Sequence, residues 1–256
     1  MKHLKLVTVL LALLLAAMAM VPIVSAVDEA SAAATHSKAQ ITQNTIHTDS
    51  RSPQMSESDI QNYVKQMSEK YGSEKVQALK VAASSSGDPD FYSGMSRTGA
   101  WQYPLNTGGA HSDNVLFLYK ANQVDASGKD NYYYWHWSSA SPASGHDITR
   151  FWSKNQITSS NSQVSVYSPD SASSGNAITV NVAVSGYGAS IGGPFTLHQD
   201  TVRPKYGECQ VGTGGKYTVE WQGLYWDAQS IKGSELVLVP HGQAITSDWT
   251  PHLENI

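Results

Sequence analysis

Cysteine is almost absent from this chain: Cys209 stands alone among 256 residues. A single thiol closes no intramolecular disulfide. That excludes the small stapled scaffolds common outside cells and leaves stability to a hydrophobic core. Charge is sparse too, with 17 Lys and Arg against 21 Asp and Glu. No basic run marks an electrostatic footprint for nucleic acid, and a mild acidic balance supports solubility and little else. No Asn-x-Ser/Thr sequon occurs, so nothing supports N-glycosylation. The Gly-x-Ser-x-Gly elbow of one large hydrolase class is missing. So are Cys-x-x-Cys and His-x-x-x-His spacings, which leaves no metal site and no cofactor to expect.

Long apolar runs are missing as well, with one exception at the start. Lys2 and Lys5 lead into an uncharged stretch from Leu6 to Met20, then Pro22 and the small residues up to Ala26. This three-part pattern reads as a secretory signal peptide over residues 1–26, which predicts an extracellular or cell-surface location. The run is shorter than the roughly 20 residues of a comfortable membrane span. After Ala26 no second such run follows, so no stable span is expected once the signal is cleaved.

Residues 27–54 are rich in Ala, Ser, Thr, Gln and His. With few apolar side chains to offset ordering entropy, they read as a disordered linker or a propeptide. Residues 55–86 read as a helical element. Ser56 stands at an N-cap with Asp59 three residues on, a shortened capping box, and Met55 and Ile60 have staple spacing. Ile60, Tyr63, Val64, Met67 and Tyr71 form one stripe, and Gly72 ends it. A weaker helix runs from Ser73–Glu74 to Ala83 with Val76, Leu79 and Val81 inward. So short a pair needs something to pack on.

The period then changes from helical to alternating. Asn114–Val124 and Asn131–Ser138 predict a hairpin about the turn Asp125–Asp130. That loop has some oxygen ligands for calcium but lacks the acid spacing of an EF-hand, so it reads as an ordinary turn. Further strands are predicted at Gln163–Tyr167, at 178–184, at Phe195–His198, at Lys216–Trp226 and, centrally, at Leu236–Val239. Short strands with no interleaved helices predict an antiparallel β-sandwich of about seven to nine strands over residues 87–256, preceded by the helical pair.

The aromatic strand Tyr132–Trp137 carries the main functional expectation. Alternation places Tyr133, Trp135 and Trp137 on one face and Tyr132, Tyr134 and His136 on the other. If only the Trp face is buried, the second face is an exposed row suited to stacking on sugars or contacting a protein. The alternative is that the other sheet and the helical pair cover both faces. Trp226 with Asp227 lies near a strand end and could edge a pocket.

Other candidates have weaker support. His111, His136, His146, His198, His241 and His252 are scattered. Cys209 sits beside Glu208, which disfavours a reactive thiolate. Asp88, Asp90, Glu208, Glu220, Asp227 and Glu235 are available for a dispersed carboxylate pair. These features point first to a secreted, non-enzymatic module that binds an envelope glycan or a surface protein through Tyr132, Tyr134, His136 and Trp226. A secreted hydrolase with dispersed acids or histidines is the second class. A membrane-active protein, using the 114–138 hairpin as spanning strands, is the third.

Overall fold

A computed structural model describes residues 39–84, 95–168, 173–174, 178–180, 195–197, 201–205 and 207–256. The expected signal peptide lies outside the described residues, as do 27–38 of the expected linker, the Ser85–Pro89 boundary and the 181–184 end of one predicted strand. The helices are α1 (Glu57–Tyr71) and α2 (Gln77–Ala83). The strands are β1 (Gln40–Gln43), β2 (Ile46–Asp49), β3 (Met95–Gln102), β4 (Leu105–Asn106), β5 (Ala110–Val124), β6 (Lys129–Pro142), β7 (Ile148–Ile157) and β8 (Gln163–Ser168). They continue as β9 (Ser173–Ser174), β10 (Ile178–Val180), β11 (Phe195–Leu197), β12 (Thr201–Pro204), β13 (Gly212–Thr213), β14 (Lys216–Tyr225), β15 (Gln229–Pro240) and β16 (Thr246–Asn255).

Local chemistry sets the helices. The Ser56 hydroxyl accepts from the Asp59 amide while the Asp59 carboxylate accepts from the Ser56 amide, a complete capping box. Met55 and Ile60 are both buried, as a staple requires, and Tyr63, Met67 and Tyr71 continue the buried stripe. The second helix starts at Gln77, later than the sequence suggests. Val76 and Leu79 are buried, but Val81 is only half-buried and Ala82 and Ala83 face inward instead.

Two seven-stranded antiparallel sheets follow. In the central sheet the order is β13-β8-β15-β6-β5-β3, with β4 also on β5. In the outer sheet it is β1-β16-β7-β14-β12-β9, with β2 also on β16. β10 and β11 pair apart from both. The β5–β6 hairpin turns at Gly128 with φ +74°, and Asp125 Oδ1 accepts from the Ser127 and Lys129 amides. The carboxylate is spent on the turn, as in an ordinary Asx arrangement.

The layers run helices, central sheet, outer sheet. Tyr119 and Trp137 lie under the helices: the Tyr119 hydroxyl donates to the Ala82 carbonyl, and Trp137 meets Tyr71 edge-on at 6.2 Å. Arg97 joins both helices to β3, donating to the Ala83 carbonyl at 2.7 Å and pairing with Glu57. The opposite face of the central sheet packs on the outer sheet. There Gly233 allows close approach, since a Cβ would meet Tyr217 and Val219 atoms at 2.8 Å. Each fully buried aromatic contributes about 2–3 kcal/mol, and Trp137, Trp221, Trp249, Tyr133, Tyr134 and Tyr217 are all in this class.

Residues 40–49 correct the linker expectation. They run antiparallel to β16 in a single register, Gln40 opposite Asn255 through Asp49 opposite Thr246. The ladder lapses only at Asn44 and Thr45, opposite Pro251, which has no N–H to give. An edge strand needs little apolar surface because its backbone bonds and one partial face hold it. Polar side chains add to the hold: Thr45 meets Thr250 at 2.9 Å and Thr48 meets Ser247 at 2.7 Å.

Candidate functional site

The aromatic row is covered, not exposed. Tyr132, Tyr134 and His136 are 5%, 0% and 0% exposed. Their strand is flanked by β5 and β15, and the outer sheet lies on their face. The sandwich therefore buries both faces of β6, which removes the exposed row on which a binding role for Tyr132, Tyr134 and His136 depended. Lys120 closes the end of the row, with Nζ 5.4 Å from the Tyr132 ring centre and 2.9 Å from Asp130.

Within this interface runs a line of polar groups. Trp249 Nε1 donates to Ser153 Oγ at 2.8 Å, and Ser153 Oγ lies 2.8 Å from His136 Nδ1. Having accepted from the indole, the hydroxyl has its own proton free for Nδ1. That leaves the imidazole proton on Nε2, facing Glu235 Oε2 at 3.8 Å. Asn155 Nδ2 donates to Glu235 Oε1 at 2.5 Å. Hydroxyl, imidazole and carboxylate are the components of a nucleophilic triad. Here Ser153, His136 and Glu235 are each 0% exposed, so a substrate carbonyl has no access to Ser153. The line acts as a polar strut between the sheets.

The outward face of the outer sheet presents a different chemistry. Register sets its side chains in rows. His252, Trp152, Glu220 and Arg203 form one, and Thr250, Lys154 and Thr218 form the next, extended by Lys205, whose amide bonds to the Thr218 carbonyl. The Trp152 ring stacks on His252 at 4.5 Å and 8°. Lys205 Nζ stands 4.7 Å and Lys154 Nζ 5.7 Å from the same ring centre. Glu208 meets Lys216 at 3.2 Å and Lys154 at 4.0 Å, and Lys216 first among these lysines holds its carboxyl below the usual range. Glu220 is clasped by Arg150 and Arg203 at 2.7 and 2.8 Å. His252 also touches Glu254 at 2.7 Å. Burial pulls its pKa down, against the pull of that carboxylate.

Trp226 is placed as the sequence suggests, just past a strand end, and is 80% exposed. Leu224, two residues before it, is 57% exposed. The turn joins β14 of the outer sheet to β15 of the central one, and its base is fixed. Tyr225 packs edge-on against Trp221 at 5.7 Å, and Lys75 Nζ donates to the Ala228 carbonyl at 2.6 Å.

The remaining candidates divide among separate places. Asp88, Asp90 and His198 lie outside the described residues. Glu208 and Glu220 are held by cations, Glu235 by Asn155, and Asp227 accepts from Gln229. His241 reaches Asp130 at 3.0 Å, and His111 reaches Asp113 at 3.0 Å. Among the described residues no three His, Cys, Asp or Glu side chains converge on a metal position. No described helix is long and apolar enough to cross a membrane. Burial first, then nearby acids, raises the Cys209 pKa, which leaves an unreactive thiol.

The sequence offered Glu208, Glu220 and His252 singly, without any sign that they share the outward face of the outer sheet. Its residues sit on β7, β12, β14 and β16, where polar side chains alternate with single aromatics. The only signal was Phe151-Trp152-Ser153-Lys154 and its neighbours, an alternation too mixed to stand out. Neither a scan against protein-family models nor a search of the curated proteins finds a match for this chain.

Proposed function

We propose that the chain is a secreted, non-enzymatic binding module that engages an envelope glycan or a surface protein. The single observation that carries this reading is Trp226: a large indole left 80% exposed, with Leu224 beside it, on a turn anchored at its base. Exposed Trp on a fixed frame gives contact area at low entropic cost, on sugar rings and on protein partners alike. The extracellular location rests on the leader pattern of residues 1–26.

The hydrolase reading has less to stand on, because its described carboxylates are each engaged by a cation or an amide. The membrane-active reading loses its hairpin, since β5 and β6 are the buried middle of the central sheet.

A pull-down on insoluble envelope material, with wild type beside Trp226→Ala, tests the proposal once both show the same thermal transition. Retention lost in the variant supports a site at Trp226. Equal retention moves the site elsewhere, and no retention of the wild type removes the reading.

A further inference from the structure

Three lysines converge on the outward face of the outer sheet around a single carboxylate. Lys154 and Lys216 both reach Glu208, and Lys154 and Lys205 both lie over the Trp152 ring. Three positive charges thus share one negative charge and one aromatic quadrupole. The chain as a whole carries a net charge of −4, so this cluster runs against the overall sign. Lys154 and Lys216 side chains are 29% and 25% exposed and Glu208 34%. They lie along the sheet and remain open to solvent on one side.

From this we infer that the outward face of the outer sheet is a docking surface for an acidic polysaccharide. The inference rests on the reading of the chain as a binding module and places a second surface away from Trp226. Charge complementarity carries it. A sugar carboxylate entering between Lys154, Lys205 and Lys216 meets a surplus of two positive charges. Adjacent strands stand about 4.8 Å apart, and β14 lies between Lys154 and the end of β12 that leads to Lys205. That puts the two backbones about 10 Å apart, the scale of two pyranose rings. Each lysine drawn to an anion uncovers part of the Trp152 face, which then accepts the apolar side of a sugar. Anionic lipid fits less well, because Ile41, the exposed apolar side chain opposite Glu254 on this face, stands on the edge strand away from the lysines.

Affinity electrophoresis of the secreted chain through gels holding alginate, neutral dextran or a single-stranded polynucleotide tests this, together with flotation on phosphatidylglycerol vesicles. Alginate is expected to retard the wild type at low salt, with the effect fading as ionic strength nears ~0.5 M. A folded Lys154→Gln/Lys205→Gln/Lys216→Gln variant should bind alginate at least tenfold more weakly. Glu208→Gln, which removes the one shared negative charge, should bind it several-fold more tightly, and this keeps the test alive if the triple variant fails to fold. Trp226→Ala should leave alginate binding unchanged, which separates this surface from the site proposed above. Failure of alginate to retard the wild type would overturn the inference. So would equal binding by the folded triple variant, weaker binding by Glu208→Gln, or a preference for vesicles or polynucleotide.

Discussion

His136 on β6 and Ser153 on β7 share a hydrogen bond of 2.8 Å across the sandwich interface, which with the Asn155–Glu235 bond crosses between the sheets amid aromatic and aliphatic side chains. The His136–Ser153 bond, with Trp249 behind it and Glu235 ahead of it, fixes how the sheets are laid on one another. Buried polar groups are costly when unpaired, so the line favours the alignment that keeps its Trp249–Ser153–His136 and Asn155–Glu235 bonds, although His136 Nε2, Glu235 Oε2 and Asn155 Oδ1 make none.

Removing the carboxylate end of that line should be expensive. Glu235→Ala leaves the Asn155 amide without its acceptor and opens a void between the sheets. We expect a loss of about 2–4 kcal/mol, read as a lower urea midpoint. Glu235→Gln keeps the shape and should lose less. Equal stability of Glu235→Ala and wild type would show that the line does not hold the sheets.

Acid should loosen the helical layer. Burial pushes the Asp113 carboxyl up, but His111, Lys70 and Tyr71 outweigh it and hold the group at about 2. A carboxyl held below its unfolded value stabilises the fold above about pH 4 and loses that contribution as pH falls toward 2. The contribution is about 2 kcal/mol. Asp113→Asn should start less stable at pH 6 and show a shallower decline between pH 4 and 2, measured by thermal melts across that range.

Lys232 should act at the other end of the pH scale. Burial lowers its pKa to about 7. Above that value the folded state holds it neutral while the unfolded chain still binds the proton, so stability rises from about pH 7 to about pH 10.5. Lys232→Met should stabilise the protein near neutrality and flatten that rise. A slope unchanged in the variant would assign it to other groups.

The edge strand separates two truncations. A chain beginning at Ala39 keeps β1 and β2 and should melt as the full chain does. A chain beginning at Ser50 bares the edge of β16, with its unpaired amides and carbonyls. It should melt lower and self-associate on size exclusion.

What the sequence made legible follows from how each layer is buried. The central sheet is covered on both sides, so β5, β6 and β15 carry dense apolar runs that read directly as strands. The capped α1 helix read just as directly, from Ser56, Asp59 and its stripe. The outer sheet buries its second face too, but under charged and polar neighbours, so Thr218, Glu220, Trp152 and His252 do not form an apolar run. β7 and β16 interleave Trp152, His252 and Pro251 with charged residues, and β1 and β2 are almost wholly polar. Such strands are fixed by the neighbours they pair with, and pairing is not written in any one segment. The candidate surface suffered the same way. Trp226 was visible as a Trp at a strand end, whereas Lys154, Lys205 and Lys216 come from three distant segments and meet only through the register. The Tyr132, Tyr134 and His136 row was misjudged because alternation tells which residues share a face, not what lies above it.

The pairing of Gln40 with Asn255 has a mechanical meaning. The segment leading into the fold and the segment leaving it part company at the same point. A pull applied to both would peel β1 from β16 one bond at a time, like a zipper, and would not load the whole ladder in shear. If the two ends of the fold are drawn apart, the stretch to Asp49 becomes the first part to yield. It would lengthen under load while the two-sheet body stays folded, giving the chain a built-in reserve of slack.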